Sequence, residues 1–244
     1  NNLFHHIFVM HFPPFNHSKS RYERKFVVND MHYHEIIQHI RNNRAAFSGL
    51  YEPRYINNIY FDTNDIDYFY DNISGKGSRK KARIRWYGEL MGNVSTPVLE
   101  FKLREGMVGN KISFPLKPFT LDNKFTGELI NNIIRESNLP NWAESVMLML
   151  KPALLNRYHR QYFISFNNEF RLTLDDELTY YGMHSGVNNF MEKHNDNSVI
   201  VELKYDTKFD GYESAHITNE IPFRLSKSSK YVNGFEFTHP SIAT

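Results

Sequence analysis

The chain has 244 residues, with 29 Lys and Arg against 27 Asp and Glu, a formal charge of +2 and no cysteine. A chain of this length with 41% hydrophobic and 15% aromatic residues can bury one substantial core, which suits a single domain. The absence of cysteine excludes disulfides, Cys-ligated zinc and thiol catalysis, and the small net charge argues against a nucleic-acid-binding surface, so any anion site must be locally concentrated.

In chain order, residues 1–20 mix Leu3, Phe4, Ile7, Phe8, Val9 and Met10 with His5, His6 and Pro13-Pro14, and lack the basic flank and small-residue cleavage site of a signal peptide. They read as an N-terminal extension before a domain over 21–237 and a tail over 238–244. A strand is expected at Arg21–Val28, followed by a helix over His32–Arg41, N-capped by Asp30, with Ile36, Ile37 and Ile40 toward the core. A strand at Tyr55–Phe61, a helical turn at Asp65–Tyr70 and a Gly/Lys loop at Ser74–Ser78 come next. Strands are then expected at Lys80–Tyr87, Pro97–Arg104 and Gly109–Leu116, and helices at Thr126–Glu136 and Trp142–Leu150. In the first of these helices Leu129, Ile130, Ile133 and Ile134 form an apolar stripe. The strand pattern returns at Ala153–Phe166, Glu169–Leu174, Leu178–Tyr181 and Ser198–Tyr205, before a helix at Tyr212–Glu220 and a basic segment Arg224–Tyr231. The order describes an α+β arrangement of mainly antiparallel strands with a few packed helices. No apolar run approaches the roughly 20 residues of a bilayer span, which points to a soluble, cytoplasmic chain.

Several of these strands alternate charge with bulk. Arg83 and Arg85 share one face while Ala82, Ile84 and Trp86 share the other; Lys102 with Arg104, and Glu202 with Lys204, repeat the spacing. An ordinary half-solvated sheet has the same alternation. Here, however, the charged positions are mostly Arg and Lys in a nearly neutral chain, and like charges this close repel unless an anion lies between them. Strands curved with these residues inward would form an antiparallel β-barrel with helices outside and a channel suited to triphosphate or polyphosphate.

The motifs Arg21-Tyr22-Glu23-Arg24-Lys25-Phe26, Asn58-Ile59-Tyr60-Phe61-Asp62-Thr63, Ala82-Arg83-Ile84-Arg85-Trp86-Tyr87-Gly88 and Glu100-Phe101-Lys102 are followed by Tyr158-His159-Arg160-Gln161-Tyr162-Phe163 and Arg171-Leu172-Thr173-Leu174-Asp175. Val201-Glu202-Leu203-Lys204-Tyr205 and Leu225-Ser226-Lys227-Ser228-Ser229-Lys230-Tyr231 complete the series. In this order they resemble VTC domains, the catalytic domains of vacuolar transporter chaperone polyphosphate polymerases and their bacterial relatives, within the triphosphate tunnel (CYTH-like) superfamily. The resemblance implies a tunnel of antiparallel strands, a divalent metal (Mn²⁺ or Mg²⁺), and transfer or hydrolysis of a terminal phosphoryl group of ATP, inorganic triphosphate or polyphosphate.

Residue by residue, the resemblance places Arg83, Arg85, Arg160, Arg171 and Lys204 against the reacting phosphates and Lys25, Lys102, Lys111, Lys227 and Lys230 along the substrate. Glu202 matches the metal-holding carboxylate, with Glu23 and Glu100 as further oxygen ligands. Arg forks, mobile Lys charges and hard oxygen donors suit this chemistry, and phosphoryl transfer needs no covalent nucleophile. The hydrolytic relatives carry two Glu at spacing two before the Lys of the first strand; here Glu23 precedes Lys25 but Arg21 fills the earlier position. Water activation calls for well-placed carboxylates, so a polyphosphate polymerase is preferred to a triphosphatase, with a non-catalytic polyphosphate or nucleotide sensor as a third reading. No sequence-specific nucleic acid is expected, and a membrane partner stays open.

Other features read as structural. Glu23 could equally pair with a cross-strand cation. Arg104 falls at a strand exit. Gly75-Lys76-Gly77-Ser78 lacks the upstream Gly of a P-loop and reads as a turn, His32, His34 and His39 lack a metal-binding spacing, and the aromatic residues of Asp65–Asp71 read as packing.

Overall fold

The computed structural model describes residues 12–13, 21–106, 108–183 and 193–242, so most of the expected N-terminal extension and residues 243–244 of the tail lie outside the described residues. The elements are β1 (Arg21–Val28), α1 (Tyr33–Arg41), β2 (Ser48–Asp62), α2 (Asp67–Ile73), β3 (Ser78–Tyr87), β4 (Gly92–Val94), β5 (Val98–Glu105), β6 (Val108–Pro115) and β7 (Phe119–Leu121). They continue with α3 (Gly127–Glu136), α4 (Asn141–Met149), β8 (Lys151–Ile164), β9 (Phe170–Gly182), β10 (Lys193–Asp196), β11 (Val199–Asp206), α5 (Tyr212–Asn219) and α6 (Lys230–Thr238). Among the described residues, no helix is long and apolar enough to cross a membrane.

One antiparallel sheet dominates, in the order β1-β11-β9-β8-β2-β3-β5-β6, with β10 paired to β9 and a separate β4–β7 pair. The expected barrel is therefore corrected: β1 and β6, at the two ends of the path, do not pair. Their Cα atoms nevertheless come within 8 Å, so the sheet curls until its lips approach. Closure demands matched strand tilt and stagger. At this seam Lys25, Lys81 and Lys102 already oppose one another's charge, and a closed ladder would press them closer.

The faces divide as the alternation predicts. Outward residues of β3 and β5, among them Ile84, Trp86, Leu99 and Phe101, are buried with Ile130, Ile133 and Ile134 of α3 and Ala143, Val146 and Met147 of α4. On the other half, Phe26, Leu172, Leu174, Val201 and Leu203 pack with Ile36 and Ile40 of α1 and Ile217 of α5. Burial of apolar surface at about 25 cal/mol per Å² holds these helices to the sheet. Thr126 caps α3 by accepting from Leu129 N at 3.2 Å, although Leu129 is 37% exposed and leaves the expected stripe.

Other boundaries shift for local reasons. His32, not Asp30, caps α1; its N–H donates to the Glu35 carboxylate at 3.0 Å. The two strands expected at Glu169–Leu174 and Leu178–Tyr181 are one, β9, whose ladder with β8 absorbs an irregularity between Arg157 and His159. The expected basic segment becomes α6 from Lys230 onward, where Ser229 Oγ accepts from Val232 N at 3.3 Å. Gly234 lets α6 sit against the inner face of the sheet: a Cβ there would lie 2.3 Å from Tyr180 and 2.6 Å from Leu154. Tyr231 stacks on Tyr60 beside this contact, so α6 fills one end of the hollow.

Candidate functional site

The ladder registers assign the inner face. Lys25 pairs with Glu202 and Glu23 with Lys204; Glu202 pairs onward with Thr173 and Lys204 with Arg171. Asp175 pairs with Arg160, Asn156 with Asn58, and Asn58 with Arg85. Tyr60 pairs with Arg83, Arg83 with Glu100, Lys81 with Lys102, and Lys102 with Lys111. Directly paired residues project to the same side, so the polar set from eight strands converges on one concave surface.

Three buried carboxylates organise the cations. Glu100 accepts from Arg83 Nε at 2.8 Å and Nη2 at 2.5 Å and from Lys111 Nζ at 2.8 Å, with Arg85 Nη1 at 3.6 Å. Burial opposes its charge, yet Arg83 and Arg85 hold it well below the usual carboxylate range. Asp175 takes both arms of Arg160, at 2.5 and 2.6 Å, and Lys230 Nζ at 2.5 Å. Burial again works against ionisation, and Arg160 and Lys230 overcome it, bringing Asp175 down to about 2. Glu202 ion-pairs with Lys204 and, at 3.6 Å, with Lys25. Despite full burial, those lysines keep it charged. Tyrosines finish the wall: Tyr60 OH accepts from Arg83 at 3.2 Å, and Tyr158 OH accepts from Arg85 at 3.2 Å. Burial would raise Tyr158, but Arg160 and Arg85 outweigh it and bring it to about 8.

The seam is different. Lys81 donates to Ser229 Oγ at 2.8 Å and Lys25 to Ser228 O at 3.3 Å, and no carboxylate among the described residues ion-pairs with Lys81 or Lys102. Burial, Lys25 and Lys102 push Lys81 well below the ordinary lysine range. Glu23 supports the charge on Lys102, but burial, Arg83 and Lys204 prevail and bring it to about 7. These ammonium groups lack a full complement of negative charge. A phosphate chain could supply it.

The expected site residues thus fall into groups. Arg83, Arg85, Arg160, Lys204, Lys25, Lys102, Lys230, Glu202 and Glu100 meet in the hollow; Glu23, Arg171 and Lys111 join its face but are exposed. Lys227 is exposed and lines a surface depression with Asp30 and Arg224. Sequence reasoning assigned no site role to Asp175, Lys81, Tyr60 or Tyr158. Spacing was the available signal: Lys81 lies two residues from Arg83, and Tyr158 two from Arg160.

Of the expected metal ligands, Glu23 and Glu202 fit best. They are diagonal neighbours across β1 and β11, each opposes the other's charge, and Lys204 reaches both, at 3.8 Å to Glu23. Two hard oxygen donors with a cation between them suit a divalent ion. Glu100 does not, because its two oxygens already serve three cations. His159, Asp176 and Glu177 also bring potential ligand atoms within 4.8 Å of one another. His159 and Asp176 pair with each other and alternate with Arg160 and Asp175, so they belong to the outer face, while Glu177 sits at the irregularity of the β8–β9 ladder with a positive φ of 49°.

No curated protein matches the sequence. Among solved structures, the PH1819 protein from Pyrococcus horikoshii OT3 is similar at 14% identity and a TM-score of 0.46, covering 87% of this chain and 96% of that one. A "putative adenylate cyclase" from Bacillus halodurans has 14% identity and a TM-score of 0.47, over 86% of this chain and 94% of that one. Another from Vibrio parahaemolyticus has 10% identity and a TM-score of 0.47, over 87% and 97%. The VTC domain family model matches residues 20–239, and with nearly the whole chain inside that match the protein belongs to the VTC domain family.

Proposed function

We propose that this protein is a polyphosphate polymerase that transfers the γ-phosphoryl group of ATP onto a polyphosphate chain seated in the cationic hollow, with Mn²⁺ or Mg²⁺. The observation that carries the reading is the convergence of Arg83, Arg85, Lys102, Arg160 and Lys204 on one concave surface. Membership of the VTC family supports an enzyme acting on triphosphates.

In the reaction, a terminal phosphate oxygen of the chain attacks the γ-phosphorus, the bond from that phosphorus to the oxygen bridging it to the β-phosphorus breaks, and ADP leaves. The attacking oxygen is already an anion and needs alignment more than deprotonation. Arg83, Arg85, Arg160 and Arg171 would bind phosphoryl oxygens as charge develops on them, with Lys204 beside the reacting group. Lys25, Lys102, Lys111 and Lys230 would hold the flanking phosphates, and Lys227, outside the hollow, could meet only a chain that extends beyond it. Glu202 and Glu23 would hold the divalent cation, which supplies further neutralisation of phosphate oxygens. Arg160 and Lys204 would exchange a carboxylate for a phosphate, while Lys102, which has no ion-paired carboxylate among the described residues, would gain its counter-charge on binding.

Polymerisation is favoured over hydrolysis at β1. Arg21 stands opposite Asp206 where a hydrolytic relative would carry a carboxylate, leaving one fewer base to prepare water. Purified protein incubated with ATP and Mn²⁺ should yield a polyphosphate ladder on a gel. ADP and free phosphate without polymer would select a triphosphatase; tight binding without product would select a sensor.

A further inference from the structure

Thr173 occupies the middle of the inner face of β9. Arg171 and Asp175 flank it on that face, Glu202 lies directly across one ladder and Tyr162 across the other. It is 8% exposed, and its Oγ1 has no hydrogen-bond partner among the described residues. Both nearby carboxylates are engaged elsewhere: Asp175 with Arg160 and Lys230, Glu202 with Lys204 and Lys25. A buried hydroxyl without a partner destabilises a fold, and valine would fill the same volume without that penalty. An unmet hydroxyl in this position marks a second arrangement of the side chains in which it is bonded.

Glu202 is the acceptor that the register brings opposite it. Its present partners are both lysines, which hold a carboxylate as mobile point charges and not as rigid forks. Glu202 and Glu23 would hold a divalent cation only with Lys204, which now contacts both, displaced from Glu202, and that carboxylate would then be free to turn. We infer that Thr173 is a positioning residue whose hydroxyl donates to Glu202 when that carboxylate takes a divalent cation, fixing its orientation. The inference rests on the assignment of Glu202 in the proposed function. Hydrogen bonds of this kind behind a metal ligand typically change metal affinity by about 10–100-fold.

The test uses Mn²⁺ alone, titrated into wild-type protein, Thr173→Val, Thr173→Ser and Glu202→Gln, with free Mn²⁺ read by electron paramagnetic resonance and metal-free melting measured in parallel. Thr173→Val should melt higher by about 2–4 °C yet bind Mn²⁺ about 10-fold more weakly, while Thr173→Ser binds like wild type. A purely structural threonine would not separate the two readouts. Should Thr173→Val bind Mn²⁺ normally while Glu202→Gln does not, the inference falls and the metal assignment stands. If Glu202→Gln also binds normally, both fall. A lower melting point for Thr173→Val would overturn the premise of an unmet hydroxyl.

Discussion

Glu100 and Glu202 each sit on the strand next to one end of the sheet path, buried on the inner face among cations, yet their surroundings differ in kind. Glu100 is gripped by Arg83 and Arg85 with Lys111 completing the shell, whereas Glu202 has Lys25 and Lys204 and a second carboxylate, Glu23, nearby. Guanidinium forks fix a carboxylate in one orientation; ammonium groups on flexible stems release it readily. Similar burial therefore yields a locked counter-ion on one side and an exchangeable one on the other.

The largest expected effect tests a cation of the inner face that neither carboxylate holds, Arg160, which pairs with Asp175. Arg160→Ala should lower polymer synthesis by about 10³-fold, by analogy with arginines that stabilise phosphoryl transfer, measured at saturating ATP. Normal synthesis would remove the inner face from the reaction. Breaking the locked side comes next: Glu100→Ala leaves three cations without their anion and should destabilise the protein by about 3–5 kcal/mol in denaturant unfolding. The exchangeable side should respond the other way. Glu202→Gln should lower the Mn²⁺-dependent rate by about 100-fold, with a smaller loss of stability than Glu100→Ala; the reverse ranking would break the comparison.

Acid sharpens it further. Asp175 is held at about 2, below the ordinary 3.8, so the unfolded chain takes up its proton first as pH falls. Its contribution is present above pH 4 and disappears as pH falls from about 4 to about 2, a loss of roughly 2 kcal/mol. Denaturation midpoints across that window should decline less steeply for Asp175→Asn than for wild type. The smallest effect is the control for burial: Lys76 and Asp71 form an exposed pair at 2.8 Å, and Lys76→Ala should change stability by no more than about 0.5 kcal/mol.

Much of this arrangement was legible from spacing. Arg83 with Arg85, and Glu202 with Lys204, reveal a shared face because side chains in a strand alternate, whatever the strand pairs with. The run Asp175-Asp176-Glu177 separates the two strands expected there; in the structure Arg160 and Lys230, 15 and 55 residues away, neutralise Asp175 inside the single strand β9, and the β8–β9 irregularity falls beside Glu177. The short β4, β7 and β10 carry too little alternation to be read at all. Helix α6 lay hidden in a basic stretch because its packing depends on Gly234 meeting Leu154 and Tyr180 from distant strands.

Local order along the chain was enough to define an α+β protein and which side chains share a strand face, because strand periodicity acts between near neighbours, and the order of the motifs carried the resemblance to the family. Whether the sheet closes, which carboxylate is locked, and where a hydroxyl is left unmet depend on partners brought together by curvature. Electrostatic energy falls with distance in space, and separation along the chain does not report that distance.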